Sequence, residues 1–408
     1  MVLEKQPLSF FWILRYEEMN KGQYVFSQLM SLVDPNEFNR HVERYQGNYR
    51  VRTFSCWHQF LCMSFGQLGK KDSLRDTVLC LESHENKLYH LGITHGVSRS
   101  TLSDANETRD YRIYSDFAQH LISVARQVYA PSDDTELGLE NNIYAIDAST
   151  IDLCLSVFWW APFRKTKAAI KLHTQVDIKC AIPTFIHISD GKYHEVNSLD
   201  IIKFEQDAFY VMDKGYLDFG RLYGLHQKGA FFVIRAKSNT SYYRIYSHPT
   251  DKTRGVKFDQ SIKFKTPKSS KEYPEKLRLV KYRDKELKKT FLFLTNNFEV
   301  EANVIAALYK NRWKVELFFK WIKQHLQILT FWGESKNAVY TQIWIAVCNY
   351  LLIAILRKKL QTLHSMYEIL QILSVSLFDK TPVNQLLMKN QLQKPETITS
   401  KQLTMWEL

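Results

Sequence analysis

Five residues in one short stretch carry the densest chemistry in the chain: Tyr309, Arg312, Glu316, Lys320 and Lys323. At about 100° of rotation per residue, all five fall on one helical stripe roughly 80° wide. The stretch 309–323 has neither Gly nor Pro. Its remaining positions include Val315, Leu317, Phe318, Phe319, Trp321 and Ile322, which predicts a single helix buried on most sides. A phenol, a carboxylate and three cations at the edge of a core suit a site that handles a metal ion and a phosphate. A solvated stripe is the other reading, because the i,i+4 pairs Arg312–Glu316 and Glu316–Lys320 are each worth about 0.2–0.5 kcal/mol and such stripes usually face water.

The order of the residues favours the first reading. Tyr309, Arg312, Glu316 and Lys323 spell Y-x2-R-x3-E-x6-K, which resembles the Tyr-Arg-Glu-Lys signature of DDE transposases of the bacterial insertion-sequence-four group. The resemblance covers roughly residues 143–350. It implies an RNase H-like catalytic core with two further acids, each at the end of an upstream strand. The chain offers Asp147 after the apolar run 143–146 and Asp213 after 209–212.

The resemblance makes Asp147, Asp213 and Glu316 the catalytic carboxylates and metal ligands. They would hold two Mg²⁺ ions (Mn²⁺ the substitute) about 3.5–4 Å apart, with Asp147 bridging. Arg312 and Lys323 would hold phosphates near the scissile bond and Tyr309 would hydrogen-bond one. Lys320 shares the stripe but lies outside the signature. Relatives commonly have Asp-Arg-Gly-Tyr where this chain has Asp213-Lys214-Gly215-Tyr216, which keeps the charge at Lys214 but not the guanidinium fork. Arg235 matches a basic position that faces DNA. Relatives stack a flipped base on an aromatic of the insertion; Tyr242, Tyr243 and Tyr246 are the candidates, though tyrosines on a basic strand more often pack. Asp152, Asp177, Asp190, His194 and Glu195 lie near these residues in the pattern. None is assigned as a ligand, and Asp190, before Gly191, reads as a turn former.

These residues need elements to hold them. Residues 1–130 read as helical and as the DNA-binding region, with 91–102 resembling the turn and second helix of a helix-turn-helix. An acidic, Pro- and Asn-bearing loop at 131–142 separates this region from the rest of the chain. Strands at 143–150, 171–178 and 183–189, a helix at 194–206, a strand at 209–212, a helix at 217–228 and a strand at 230–235 make an α/β pattern. The expected architecture is an RNase H-like mixed sheet flanked by helices: first part 143–237, a β-rich insertion at 238–299, a second part at 300–360 with the Glu316 helix, and a helical tail at 361–408.

The totals agree with this reading. The formal net charge is +13, which favours a polyanionic partner. Six cysteines without C-x-x-C spacing suit a reducing, cytoplasmic setting; a zinc cluster of Cys56, His58, Cys62, Cys80 and His84 has no finger or ribbon spacing. The N-terminus lacks the order of a signal peptide, and the apolar run 343–356 is short for a membrane span, which predicts a buried helix. The expectation is a transposase that binds double-stranded DNA at terminal inverted repeats and at the target, works as a homodimer, has no membrane partner, and cuts and joins strands with Mg²⁺. A stand-alone Mg²⁺ nuclease and a non-catalytic DNA-binding regulator are the alternatives.

Overall fold

The computed structural model describes residues 20–130, 138–164, 167–237, 240–286, 288–326, 328 and 330–389. The expected helical start before residue 20, the loop at 131–137 and the tail after 389 lie outside the described residues. Two compact units emerge. One takes the chain through Val128, His325–Gly333 and the part from Thr341 on; the other takes Tyr129–Gln324 and Glu334–Tyr340.

The first unit is helical. It begins with α1 (Val25–Met30), α2 (Pro35–Arg44), α3 (Cys56–Leu68), α4 (Leu74–Glu82), α5 (Glu85–Leu88), α6 (Arg99–Thr108) and α7 (Arg112–Tyr129). Asp34, Ser55, Ser73 and Ser98 start α2, α3, α4 and α6 by accepting a first-turn backbone N–H. Phe38 of α2 meets Phe117 of α7 and Trp57 of α3 edge to face, with centroids 5.1 and 5.2 Å apart.

The second unit is built on β1 (Ile143–Leu153), β2 (Pro162–Arg164), β3 (Lys167–Asp177), β4 (Ile182–Asp190), β5 (Phe209–Met212), α8 (Phe219–Gln227), β6 (Phe231–Arg235), β7 (Tyr242–Ser247), β8 (Val256–Phe264), α9 (Pro267–Glu272), β9 (Leu277–Arg283), β10 (Thr290–Thr295), α10 (Ala302–Lys310) and α11 (Trp313–His325). The strands share one mixed sheet, ordered β2-β3-β1-β5-β6-β10-β9-β8-β7, with β4 paired to β3. β1, β3 and β4 run antiparallel in turn, while β1, β5 and β6 are parallel. This is the expected α/β, RNase H-like arrangement. A parallel pair needs a crossover, and α8, capped by Asp218, supplies it between β5 and β6. The central strands are apolar throughout because both faces are covered: Phe209 to Met212 and Phe232 to Ile234 are buried without a break. β10 pairs antiparallel with β6, so the strands of the β-rich insertion continue the core's own sheet.

Two expectations fail here. Residues 194–206 do not form a helix. Only a 3₁₀ turn, Glu195–Asp200, is present. Asn197, Ser198 and Asp200 favour local side-chain bonds over helix, and Arg221 of α8 fastens the turn by donating to Asp200 and Asn197. The stretch 309–323 is not one helix either. α10 ends at Lys310 and α11 starts at Trp313. Between them Arg312, Lys314 and Val315 each donate to the carbonyl three residues back, a tighter 3₁₀ winding.

The chain closes with α12 (Lys336–Lys359), α13 (Met366–Ser376), which carries a Ser365–Glu368 capping box, and α14 (Val383–Lys389). Among the described residues α12 is the one helix long and apolar enough to cross a membrane, and its apolar window is wholly buried inside the protein. Its polar interruptions have partners within the first unit. Asn349 donates to Gln67 of α3 at 2.9 Å, and Gln67 donates to the Gln342 carbonyl at 2.8 Å.

Candidate active site

The register of the parallel strands sets the site. Ile146 pairs with Met212, and Met212 with Ile234. The next residue on each strand is Asp147, Asp213 and Arg235, so two carboxylates and a guanidinium stand in a row where the parallel pairing ends. Ligands of open α/β sheets gather at such carboxyl ends. Asp147 is nevertheless not at the end of its strand, as the sequence suggested. β1 runs on to Leu153 against β3, so Asp147 is fixed by backbone pairing within a continuous strand.

α10 and α11 bring the signature residues onto this row. Arg312, in the turn between them, donates to Asp147 Oδ2 and to Glu316 Oε1, both at 2.6 Å. One guanidinium therefore joins two carboxylates that are far apart in sequence. The Arg312 side chain is only 16% exposed and its Nε is buried without a hydrogen-bond partner. Glu316 lies in the first turn of α11, where the helix dipole favours a negative charge, and it is 57% exposed.

Tyr309 donates to Asp213 Oδ1 at 3.0 Å, and the Arg235 guanidinium lies 3.8 Å from the same oxygen. Arg235 also sits over the Phe291 ring at 5.4 Å. Lys323 donates to the Thr150 carbonyl on β1. Tyr309, Arg312 and Lys323, expected on phosphates, thus have protein partners. Lys320 and Lys214 are exposed. Val315, Phe318, Phe319, Trp321 and Ile322 are buried as expected, but Leu317 is 46% exposed.

Burial pushes the Asp147 carboxyl up to about 6; Arg312 pulls it down, while Glu316 and Glu195 add to the rise. Burial likewise raises the Tyr309 hydroxyl to about 12, so it stays a donor to Asp213. The Lys323 amine is lowered by burial, against the pull of Asp152.

Among the described residues no three carboxylate, imidazole or thiol groups already stand together as a metal site. The donor type still fits a hard divalent cation, because the available atoms are carboxylate oxygens. Asp147 and Glu316 are already held together by a cationic group, the Arg312 guanidinium.

Beside Asp213 runs a groove of about 950 Å³, lined by Lys214, Arg235, Lys237 and Lys281 and by the aromatics Tyr242, Phe258 and Phe291. It lies between the parallel strands and the strands of the insertion. Tyr243 and Tyr246 stay 50% and 56% exposed on β7, more open than expected for packed tyrosines on a basic strand, although the Tyr246 ring meets His248 edge to face at 4.9 Å. Asp190 does serve its turn, accepting from the Lys192 and Tyr193 backbone at 3.0 Å. Asp177 accepts from the Lys179 backbone, and Asp152 and His194 are exposed.

Comparison with known proteins adds to this geometry. Residues 139–352, more than half of the chain, match the model of the transposase DDE domain, and residues 21–94 match a domain of unknown function (DUF4372). A provisionally named transposase of Sinorhizobium fredii, y4zB, is 33% identical over 48% of this chain and 56% of its own length. A provisionally named transposase of the insertion sequence element IS5377 of Geobacillus stearothermophilus is 29% identical over 51% of this chain and 55% of its own. One for element IS4SA of Synechocystis is 24% identical, over 64% and 72%. The chain thus spans about half the length of the first two curated relatives it matches. Among solved structures, the piggyBac transposase in a synaptic complex with hairpin DNA covers 93% of this chain and 84% of its own at 14% identity, with a TM-score of 0.45. That likeness is too distant to carry functional detail.

Proposed function

Because the chain belongs to the transposase DDE domain family, we propose that it is a DNA transposase whose active site is formed by Asp147, Asp213 and Glu316. The observation that carries this reading is the single Arg312 guanidinium joining Asp147 to Glu316, with Asp213 one strand away in register. DDE domains depend on divalent metal, and the ion proposed here is Mg²⁺, or Mn²⁺ in its place, two per site, held by the three carboxylates. Bound there, it would supply Lewis acidity, activating a hydroxyl and neutralising charge at the scissile phosphate.

The other residues bind and orient. Tyr309 and Arg235 both hold Asp213 through its Oδ1. Arg312 compensates two carboxylates and so holds Asp147 and Glu316 together. Lys323 and Lys320 on α11, with Lys214 and Arg235 at the groove, are the proposed DNA contacts. Lys237 and Lys281 line the same groove, where phosphates would lie beside Asp213.

In the proposed reaction, water attacks a phosphodiester at the element end, breaking the bond to the 3′ oxygen and leaving a 3′-hydroxyl and a 5′-phosphate. That 3′-hydroxyl then attacks a target phosphodiester, forming a new one and releasing a target 3′-hydroxyl. The enzyme binds terminal inverted repeats, pairs the ends as a homodimer and acts in the bacterial cytoplasm. The N-terminal helices, α6 above all, are the proposed end readers, since Ser98, Arg99, Ser100 and Thr101 stand exposed at its start. Duplex oligonucleotides from the DNA flanking the coding region test this. They should be bound by wild type, nicked with Mg²⁺, and bound but not nicked by the alanine variants at 147, 213 and 316. Equal nicking of unrelated duplexes, with no joining, would mark a plain nuclease.

A further inference from the structure

We propose that Glu195 is a fourth carboxylate of the site and holds a divalent cation together with Asp147. The inference rests on the reading of the Asp147 site as a metal site and extends its ligand set.

Glu195 opens the 3₁₀ turn Glu195–Asp200, which packs against the 3₁₀ turn Lys214–Tyr216 that comes after Asp213. The contact is close. A Cβ placed on Gly215 would lie 3.2 Å from Glu195 Oε2. Gly215 does not adopt left-handed backbone, so its missing side chain supplies room rather than conformational freedom. That room is filled by the carboxylate.

Glu195 lies near enough for its charge to act on Asp147 and on the Tyr216 hydroxyl. Its carboxylate is half-buried and, among the described residues, makes no hydrogen bond or ion pair. A half-buried carboxylate with no donor of its own, packed against the turn that follows Asp213, is an oxygen ligand open to a cation. By contrast Asp190 and Asp177, also near in sequence, spend their oxygens on turn backbone. Hard oxygen donors of this kind suit Mg²⁺ or Mn²⁺, directly or through a bound water.

Titration of the intact protein with Mn²⁺, reading the free ion by electron paramagnetic resonance without DNA, tests the assignment. Glu195→Gln should weaken Mn²⁺ binding about tenfold. Gly215→Ala, which keeps every charge but crowds the Glu195 carboxylate, should weaken it in the same direction. Glu195→Asp should recover part of the loss, and Asp147→Asn should remove most of the binding. If Asp147→Asn loses Mn²⁺ while Glu195→Gln and Gly215→Ala bind as wild type does, Glu195 is not a ligand and the metal-site reading survives. If Asp147→Asn also binds as wild type does, both fall.

Discussion

Arg312 shows how much one side chain decides at this site. It meets Asp147 and Glu316 at 2.6 Å each while nearly buried. Removing one partner of a buried pair leaves an uncompensated charge, which costs about 3 kcal/mol. Arg312→Ala should therefore lower stability by about that amount in urea unfolding, and Asp147→Asn in the same background should restore most of it. An Arg312→Ala protein as stable as wild type would mean the bridge is absent. The signature residues were legible in the sequence because their types and spacing are unusual together. Their present partners were not. Nothing in the spacing tells that Tyr309 reaches Asp213 or that Lys323 reaches the Thr150 carbonyl, because those contacts come from strands about a hundred residues or more upstream. The sequence marks Glu195 without assigning it, since its approach to Gly215 depends on a 3₁₀ turn that reads like a helix in the residue pattern.

At the scale of elements, the parallel strands were legible because burial on both faces leaves apolar runs that stop at Asp147 and Asp213. The break between α10 and α11 was not, because a few i→i+3 bonds change the winding without changing the residue types; Asn311, a weak helix former at the C-cap, was the only trace. The antiparallel pair of β3 and β4 also makes stability depend on pH. His173 of β3 is buried with its Nδ1 unpartnered, and burial lowers its pKa to about 4, below the ordinary 6.5. The neutral form is the one the fold accepts, so its contribution to stability is complete above pH 6.5 and lost as pH falls from 6.5 towards 4. Denaturation midpoints should fall over that window, by at most about 3 kcal/mol from this group, and His173→Gln should flatten the difference. An unchanged pH profile in the variant would show that His173 does not carry it. In α12, Asn349→Ala would leave Gln67 Oε1 buried without its donor, an expected loss of about 1–3 kcal/mol in the same unfolding assay. No loss would mean the Gln67–Asn349 bond contributes nothing.

At the scale of the molecule, the charge of +13 and the basic groove beside Asp213 point to the same partner. Binding that rests on phosphate contacts releases counterions, so affinity for duplex DNA should fall at least about a hundredfold between 50 and 200 mM salt in a fluorescence anisotropy titration. A salt-independent affinity would remove the electrostatic account. The charge was readable from composition alone; the meeting of Lys214, Arg235, Lys237 and Lys281 in one groove required the insertion strands β7 to β10 to join the same sheet as β6, which no local pattern announces.

Asp147, Asp213 and Glu316, far apart in the sequence, are proposed to act as one metal-dependent site that transfers DNA strands. Pre-cut element ends incubated with a target plasmid and Mg²⁺ measure it directly. Wild type should give joined product, while Asp147→Asn, Asp213→Asn and Glu316→Gln should each fall below about one-hundredth of that yield with end binding intact. Joined product at the wild-type level from any one of the three variants would contradict it.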